Sequence, residues 1–219
     1  MSLLQRSPQE WIALAIILFI SFPVHELAHA YTADRFGDPT PGASGRLTAN
    51  PVAHWDLLGT LLLVVTGAFG WAKPVPINPY QLSRRSPAAV MWVSLAGPLA
   101  NLGLSILAAI PFRLGLVSFS SLNSTAGTWT ANILFDFIVI NLGLMLFNLI
   151  PISPLDGEKI AEYFFPPSWT RVLETIRPYG PMILMLILFV GPYFGVDLMG
   201  TVLTPVLRAL LGLLTGLRV

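Results

Sequence analysis

Val24-His25-Glu26-Leu27-Ala28-His29 closes an apolar run that begins at Trp11, and how this stretch is read decides the rest of the chain. Residues four apart on an α-helix are rotated by about 400°, a net of about 40°, so His25 and His29 project from one face and can reach a single cation. Glu26, next to the first imidazole, is placed to take a proton from an attacking water and to return it to a leaving group. The plainer alternative is a polar helix end satisfied by its neighbours. An acid at the centre of a membrane helix costs about 2.5–3.5 kcal/mol on insertion scales. Three ionisable side chains on one turn of an apolar helix therefore need a shared reason, and a metal provides one.

The composition sets the solvent. Of 219 residues, 54% are hydrophobic and 11% charged, and the mean hydropathy is +0.72. Soluble domains carry about 25% charged residues, whereas a bundle of apolar helices in lipid needs far fewer. A net charge of +1 leaves no broad basic field for nucleic acid. There is no cysteine, which excludes disulfides, thiolate zinc sites and cysteine nucleophiles, so any metal would be held by His and carboxylate. Only Arg6 precedes the apolar run and no small-residue cleavage site follows it, so the segment is expected to be a retained helix rather than a signal peptide.

Working outward, the first hydrophobic helix is expected over 9–35, stopped by Gly37-Asp38-Pro39-Thr40-Pro41-Gly42. A short strand is expected at 45–50, followed by an apolar stretch at 57–71. Pro74, Pro76 and Pro79 then forbid a helix. Further spans are expected over 86–112 and 128–150, separated by an uncharged Ser/Thr/Asn-rich loop at 118–130. A charged segment after Pro151 leads to an apolar region from 178, which Gly191, Pro192 and Gly195 divide into two helices. The fold class is an all-α polytopic membrane protein of five or six hydrophobic helices with a short re-entrant or β-like insertion after the first. It is expected to be one membrane-embedded domain over 1–219, with a catalytic core at 10–165 and a C-terminal helical hairpin at 178–217. Lys and Arg cluster in 35–46, 73–85 and 159–177, so the positive-inside rule assigns these to the cytoplasm. The 57–71 stretch must then enter and leave on one side.

Catalytic zinc commonly keeps three protein ligands, and His54, Asp56, Asp136 and Asp156 are candidates for the third. Asp136 lies twenty positions before Asp156, about 30 Å along a straight helix, and so at the far end from the His pair. Asp156 follows Pro151 and Pro154 and precedes Gly157, which lets it aim sideways. Spacing alone leaves metal binding and capping of the next helix equally open. Ser94, Gly97, Asn101 and Ser105 form a small, polar stripe that suits close helix packing. Asn101 is in addition a candidate active-site neighbour that could contact substrate. Asn141 and Asn148 share a face, with Asn148 beside the proline loop, and His54 is expected to be a loop histidine bonded to backbone.

Three motifs in this order, His25-Glu26-Leu27-Ala28-His29, Ala96-Gly97-Pro98-Leu99-Ala100-Asn101 and Asn148 through Asp156-Gly157, resemble those of the site-2 protease family of intramembrane zinc metalloproteases, over about 10–165. The resemblance implies one Zn2+ per chain held by His25, His29 and Asp156. It also implies Glu26 as general base, and Asn148 as a polar group near the substrate carbonyl that can donate to the oxyanion. Its substrates would be membrane proteins or membrane peptides cut in or near the bilayer. The enzyme would be a multi-pass protein of the cytoplasmic membrane with its active site on the cytoplasmic side. Ser153 and Glu158 stand where small or apolar residues and a second glycine are expected, which bears on substrate preference. Residues 50–56 and 70–76 resemble a compact subgroup without PDZ or CBS domains. The rivals are a metal transporter, which would spread His and Asp across the bilayer, and an inactive binding protein of the same fold. Polar residues gathered at one end and an intact Glu26 favour the hydrolase.

Overall fold

The computed structural model describes residues 6–67, 70–117 and 125–217. Helix α1 (Pro8–Arg35) opens with a reciprocal cap in which Ser7 Oγ accepts the Glu10 N–H and Glu10 Oε2 accepts the Ser7 N–H. One wide π-type turn, Ile17–Ser21, precedes Pro23, which has no N–H to give to the helix ladder. The helix ends at Arg35, and Gly37 turns the chain with φ +85°. The buried Asp38 carboxylate then accepts N–H bonds from Thr40 and Asn78, tying this corner to a segment forty residues on.

The insertion after α1 comes back to the level at which it leaves. Helix α2 (Leu57–Thr66) has ten residues, so at about 1.5 Å each it reaches half-way across a hydrocarbon core of about 30 Å. Asp56 caps it through the Gly59 N–H at 2.8 Å, so this candidate ligand is a helix cap. Trp55 Nε1 donates to the Leu18 carbonyl and Arg6 donates to that of Val65, each at 2.8 Å, while Leu63 packs on Leu14 and Leu18. Thus α2 runs antiparallel beside the first half of α1. The chain returns along α2 in extended form, with backbone so close that a Cβ on Gly59 would lie 2.3 Å from the Trp71 carbonyl. Ala72 pairs with Trp55 in an antiparallel bridge and Lys73 N–H bonds the His54 carbonyl, so the excursion leaves and returns at one level.

The strand expected at 45–50 does not form, and among the described residues the Trp55–Ala72 bridge is the whole of the β-pairing. Local bonds take its place: Thr48 Oγ1 accepts the Asn50 N–H, Asn50 Oδ1 accepts the Val52 N–H, and the Thr48 carbonyl bonds His54. Side chains that satisfy nearby backbone in this way compete with a ladder.

Helix α3 (Pro79–Arg85) leads into α4 (Ala89–Arg113), which runs through the middle of the molecule with α1 on one side and α5 (Thr125–Asn148) on the other. The expected loop at 118–130 is shorter, because α5 begins at Thr125; residues 118–124 lie outside the described residues. The stripe Ser94, Gly97, Asn101, Ser105 is buried along α4 as expected. After a proline-broken turn come α6 (Asp156–Phe164), α7 (Ser168–Phe194) and α8 (Met199–Thr215), with Gly195 at φ +80° between the last two. A core of Ala109, Phe112, Ala131, Ile138, Leu142, Met145 and Leu211 joins α4, α5 and α8. Four helices are long and apolar enough to cross a membrane, namely α1, α4, the Trp129–Asn148 part of α5, and α7; α2 and α8 are shorter and apolar. With Phe19, Leu57, Leu61, Trp92, Leu107 and Phe189 turned outward, the chain is a multi-pass membrane protein whose outer surface suits lipid.

Candidate metal centre

His25 and His29 lie on the second half of α1, one turn apart, and both are buried where α1 crosses α4. Their Nε2 atoms are 3.0 Å apart, and Asp156 Oδ2 lies 3.1 Å from the first and 3.3 Å from the second. Donors arranged tetrahedrally at about 2.0–2.1 Å from a zinc ion stand about 3.3 Å from one another, so the three side chains have the spacing of three corners of such a shell.

The protons on the two rings can be located from their outer partners. His29 Nδ1 faces the Val93 carbonyl at 2.6 Å, and a carbonyl only accepts, so Nδ1 carries the proton. His25 Nδ1 faces Asn101 Oδ1 at 2.6 Å. The orientation of that amide is fixed in turn: Asn101 Nδ2 donates to Asn141 Oδ1 at 2.8 Å, and Asn141 Nδ2 donates to the Phe137 carbonyl at 2.9 Å. A relay ending on an acceptor-only carbonyl therefore makes His25 Nδ1 a donor as well. Both Nε2 atoms then point lone pairs at the Asp156 carboxylate. Lone pairs converging at such distances repel unless a cation lies among them, so the donor set fits a metal.

Gly97 gives this cluster its room. A Cβ at that position would lie 2.4 Å from His29 Nε2 and 2.6 Å from His25 Nε2, so only glycine lets α4 pass behind the rings. Pro98 follows it and lacks the N–H that would bond the Ser94 carbonyl, loosening the ladder of α4 at the crossing. Asp156 is delivered from 131 residues beyond His25. It is the first residue of α6. Gly157 turns against the end of α5, where a Cβ would meet the Leu149 carbonyl at 2.3 Å.

Glu26 Oε2 accepts the Val75 N–H at 3.1 Å. Val75 stands between Pro74 and Pro76, neither of which has an N–H, so this strap presents one amide to Glu26. Arg46, buried, holds the strap by donating to the carbonyls of Ala53, Lys73 and Pro74. Asn148 is half-buried at the end of α5 and its amide donates to the Leu144 carbonyl at 2.9 Å. Asn101 is fully buried against His25 and Asn141. His54 is buried with Nε2 on the Thr48 carbonyl at 2.9 Å, a loop histidine bonded to backbone. Asp136 lines a cavity with Ser7 and Glu10 at the start of α1, away from the His pair. Sequence reasoning gave Gly97 only a packing role and left Asn141 without a partner; the seven-residue spacing of Asn141 and Asn148 carried no sign that Asn141 alone would meet Asn101.

Known proteins bear on the same chemistry. "Putative zinc metalloprotease YwhC" of Bacillus subtilis is 43% identical over 182 residues, 82% of this chain and 80% of that protein. "Putative zinc metalloprotease Rip2" of Mycobacterium tuberculosis is 29% identical over 187 residues, 81% of this chain and 68% of that one. "Zinc metalloprotease MJ0392" of Methanocaldococcus jannaschii is 25% identical over 165 residues, 75% of this chain and 38% of that one. No family model and no solved structure matches the chain. Zn2+ is accordingly the cofactor, and its preference for imidazole and carboxylate donors suits the three that converge here. At 43% identity over 82% of its length to a protein of that name, the chain belongs to the site-2 protease-type family of zinc metalloproteases.

Proposed function

We propose that the chain is an intramembrane zinc metalloendopeptidase that hydrolyses peptide bonds of membrane proteins or membrane peptides within or near the bilayer. One observation carries the reading: two imidazole nitrogens and a carboxylate oxygen converge 3.0–3.3 Å apart between apolar helices. His25, His29 and Asp156 would hold the ion, which supplies Lewis acidity toward a water and the scissile carbonyl. Glu26 takes the proton of the attacking water and passes it to the leaving amine as the C–N bond breaks. The Val75 N–H holds the Glu26 carboxylate in place, and the Val93 carbonyl and the Asn101 amide hold the two rings in the donor tautomer. Asn148 acts on the oxyanion by exchanging the Leu144 carbonyl for the substrate oxygen. A helical substrate hides its carbonyls in hydrogen bonds, so it must unwind before Glu26 can act.

The domain is the whole membrane-embedded unit. Arg35, Arg46, Lys73, Arg84 and Arg85 lie in the segments that follow the His29 end of α1, and by the positive-inside rule they support a site on the cytoplasmic side of the cell membrane. Reconstitution of the purified protein with single-pass membrane substrates tests the reading. Wild type should cleave, while Glu26→Gln and chelator-treated protein should lose at least 100-fold of the rate, in the range expected for a missing general base. Cleavage that persists in Glu26→Gln would remove the assigned base, and zinc flux without cleavage would favour a transporter.

A further inference from the structure

Glu158 stands in the third motif at a place where a glycine or apolar residue is expected, and the structure gives it an unusual setting. It lies on the first turn of α6, two residues past Asp156, with 4% of its surface exposed. Its Oε1 is 2.6 Å from Arg177 Nε on α7. A second nitrogen of the same guanidinium reaches Glu162, one turn further along α6. Helix α7 touches this part of the chain in two other ways. Leu184 packs with Ile150 and Leu155 on either side of the proline turn. Gly180 presses on Ser153, whose carbonyl would lie 2.3 Å from a Cβ there.

The direction of Asp156 cannot be inherited from α5, because residues 151–155 carry two prolines and no regular helix. It must come from how α6 is rotated about its own axis. A side-chain atom about 5–6 Å from a helix axis moves about 2 Å for a turn of about 20°, ten times the tolerance of about 0.2 Å on a metal–ligand distance. Restraining that rotation is therefore worth more to the site than the closeness of any one contact.

We propose that Arg177 is a positioning residue for the metal centre: by gripping Glu158 and Glu162 on two successive turns of α6, it fixes the rotation of that helix and so the aim of Asp156 at His25 and His29. The inference rests on the proposed His25–His29–Asp156 ligand set. It makes α7 part of the metal site although none of its residues touches a ligand.

The test uses the purified full-length protein, with the zinc dissociation constant measured by chelator competition and the visible spectrum recorded after Co2+ loading. Glu158→Gln and Arg177→Gln should weaken zinc binding about 10-fold, as loss of an outer partner does, and should broaden the Co2+ bands. Arg177→Lys, which keeps a cation, should recover part of both. Arg171→Gln, which removes an exposed charge from the same helix, should match wild type. If Glu158→Gln does not fold, the two Arg177 variants carry the test, since that side chain is 46% exposed and can be replaced without opening the core. Arg177→Gln that melts earlier yet keeps wild-type zinc affinity and Co2+ spectrum overturns the inference, leaving a pair that only ties two helices. Asp156→Ala with wild-type affinity would instead overturn the ligand set itself, and with it this inference.

Discussion

The two ends of α1 both bring acids close to other helices, and they use them differently. At the Ser7 end, Glu10 and the Asp136 of α5 border a cavity of about 560 Å³. At the His29 end, His25, His29, Asn101, Asn141 and Asp156 form one connected series of contacts, and among the described residues this is where three ligand atoms come within 4.8 Å. Glu10 is committed to the helix cap, and Asp136 meets no histidine. A carboxylate between membrane helices is thus not enough for a metal site. At the His29 end, outer partners hold the ring protons on Nδ1 and leave the inward-facing Nε2 atoms free for a cation, and among the described residues the Ser7 end has no such set.

That contrast can be broken from its strong side first. Asp156→Ala should remove stoichiometric zinc from the purified protein, read by elemental analysis, because it deletes one of three donors; full retention would erase the difference between the ends. Gly97→Ala comes next. Its Cβ falls 2.4 Å from His29 Nε2, so zinc content and cleavage should both fall by more than tenfold, an effect out of proportion to one methyl. Asn101→Leu should cost 10–100-fold in zinc affinity by chelator competition, the range for an outer partner of a ligating histidine, with Asn141→Leu following in the same direction but less. Asp136→Asn should change zinc content and cleavage by less than twofold. A large loss there would mean that the Ser7 end also serves the reaction.

Parts of this arrangement could be read from the sequence because their geometry is local. His25, Glu26 and His29 sit on one turn, and Gly37 through Gly42 is a stop whatever surrounds it, so α1 ends where expected. The excursion at 57–71 followed from charge counting, and the return of the chain from Trp55 to Ala72 agrees with it. The strand at 45–50 failed because Thr48 and Asn50 bond neighbouring backbone, a competition that propensity does not register. What stayed hidden depends on contacts between distant residues. Nothing in Asn101 announces His25 as its partner 76 positions earlier, and nothing in Asn141 announces Asn101. Asp156 could be chosen over capping only through the resemblance. Glu158 departs from the motif, and its partner Arg177 lies 19 positions further along the chain.

The bare backbone at position 97 also changes what holds α1 to α4. Where two membrane helices usually interlock small residues against small residues, here the imidazoles themselves fill the notch that the glycine leaves. On the proposed ligand set, the seam between these spans is stitched by the same rings that would hold the zinc. Zinc binding at these rings would then be coupled to the closing of the α1–α4 seam, so the chain before metallation is expected to be looser there than the zinc-bound protein.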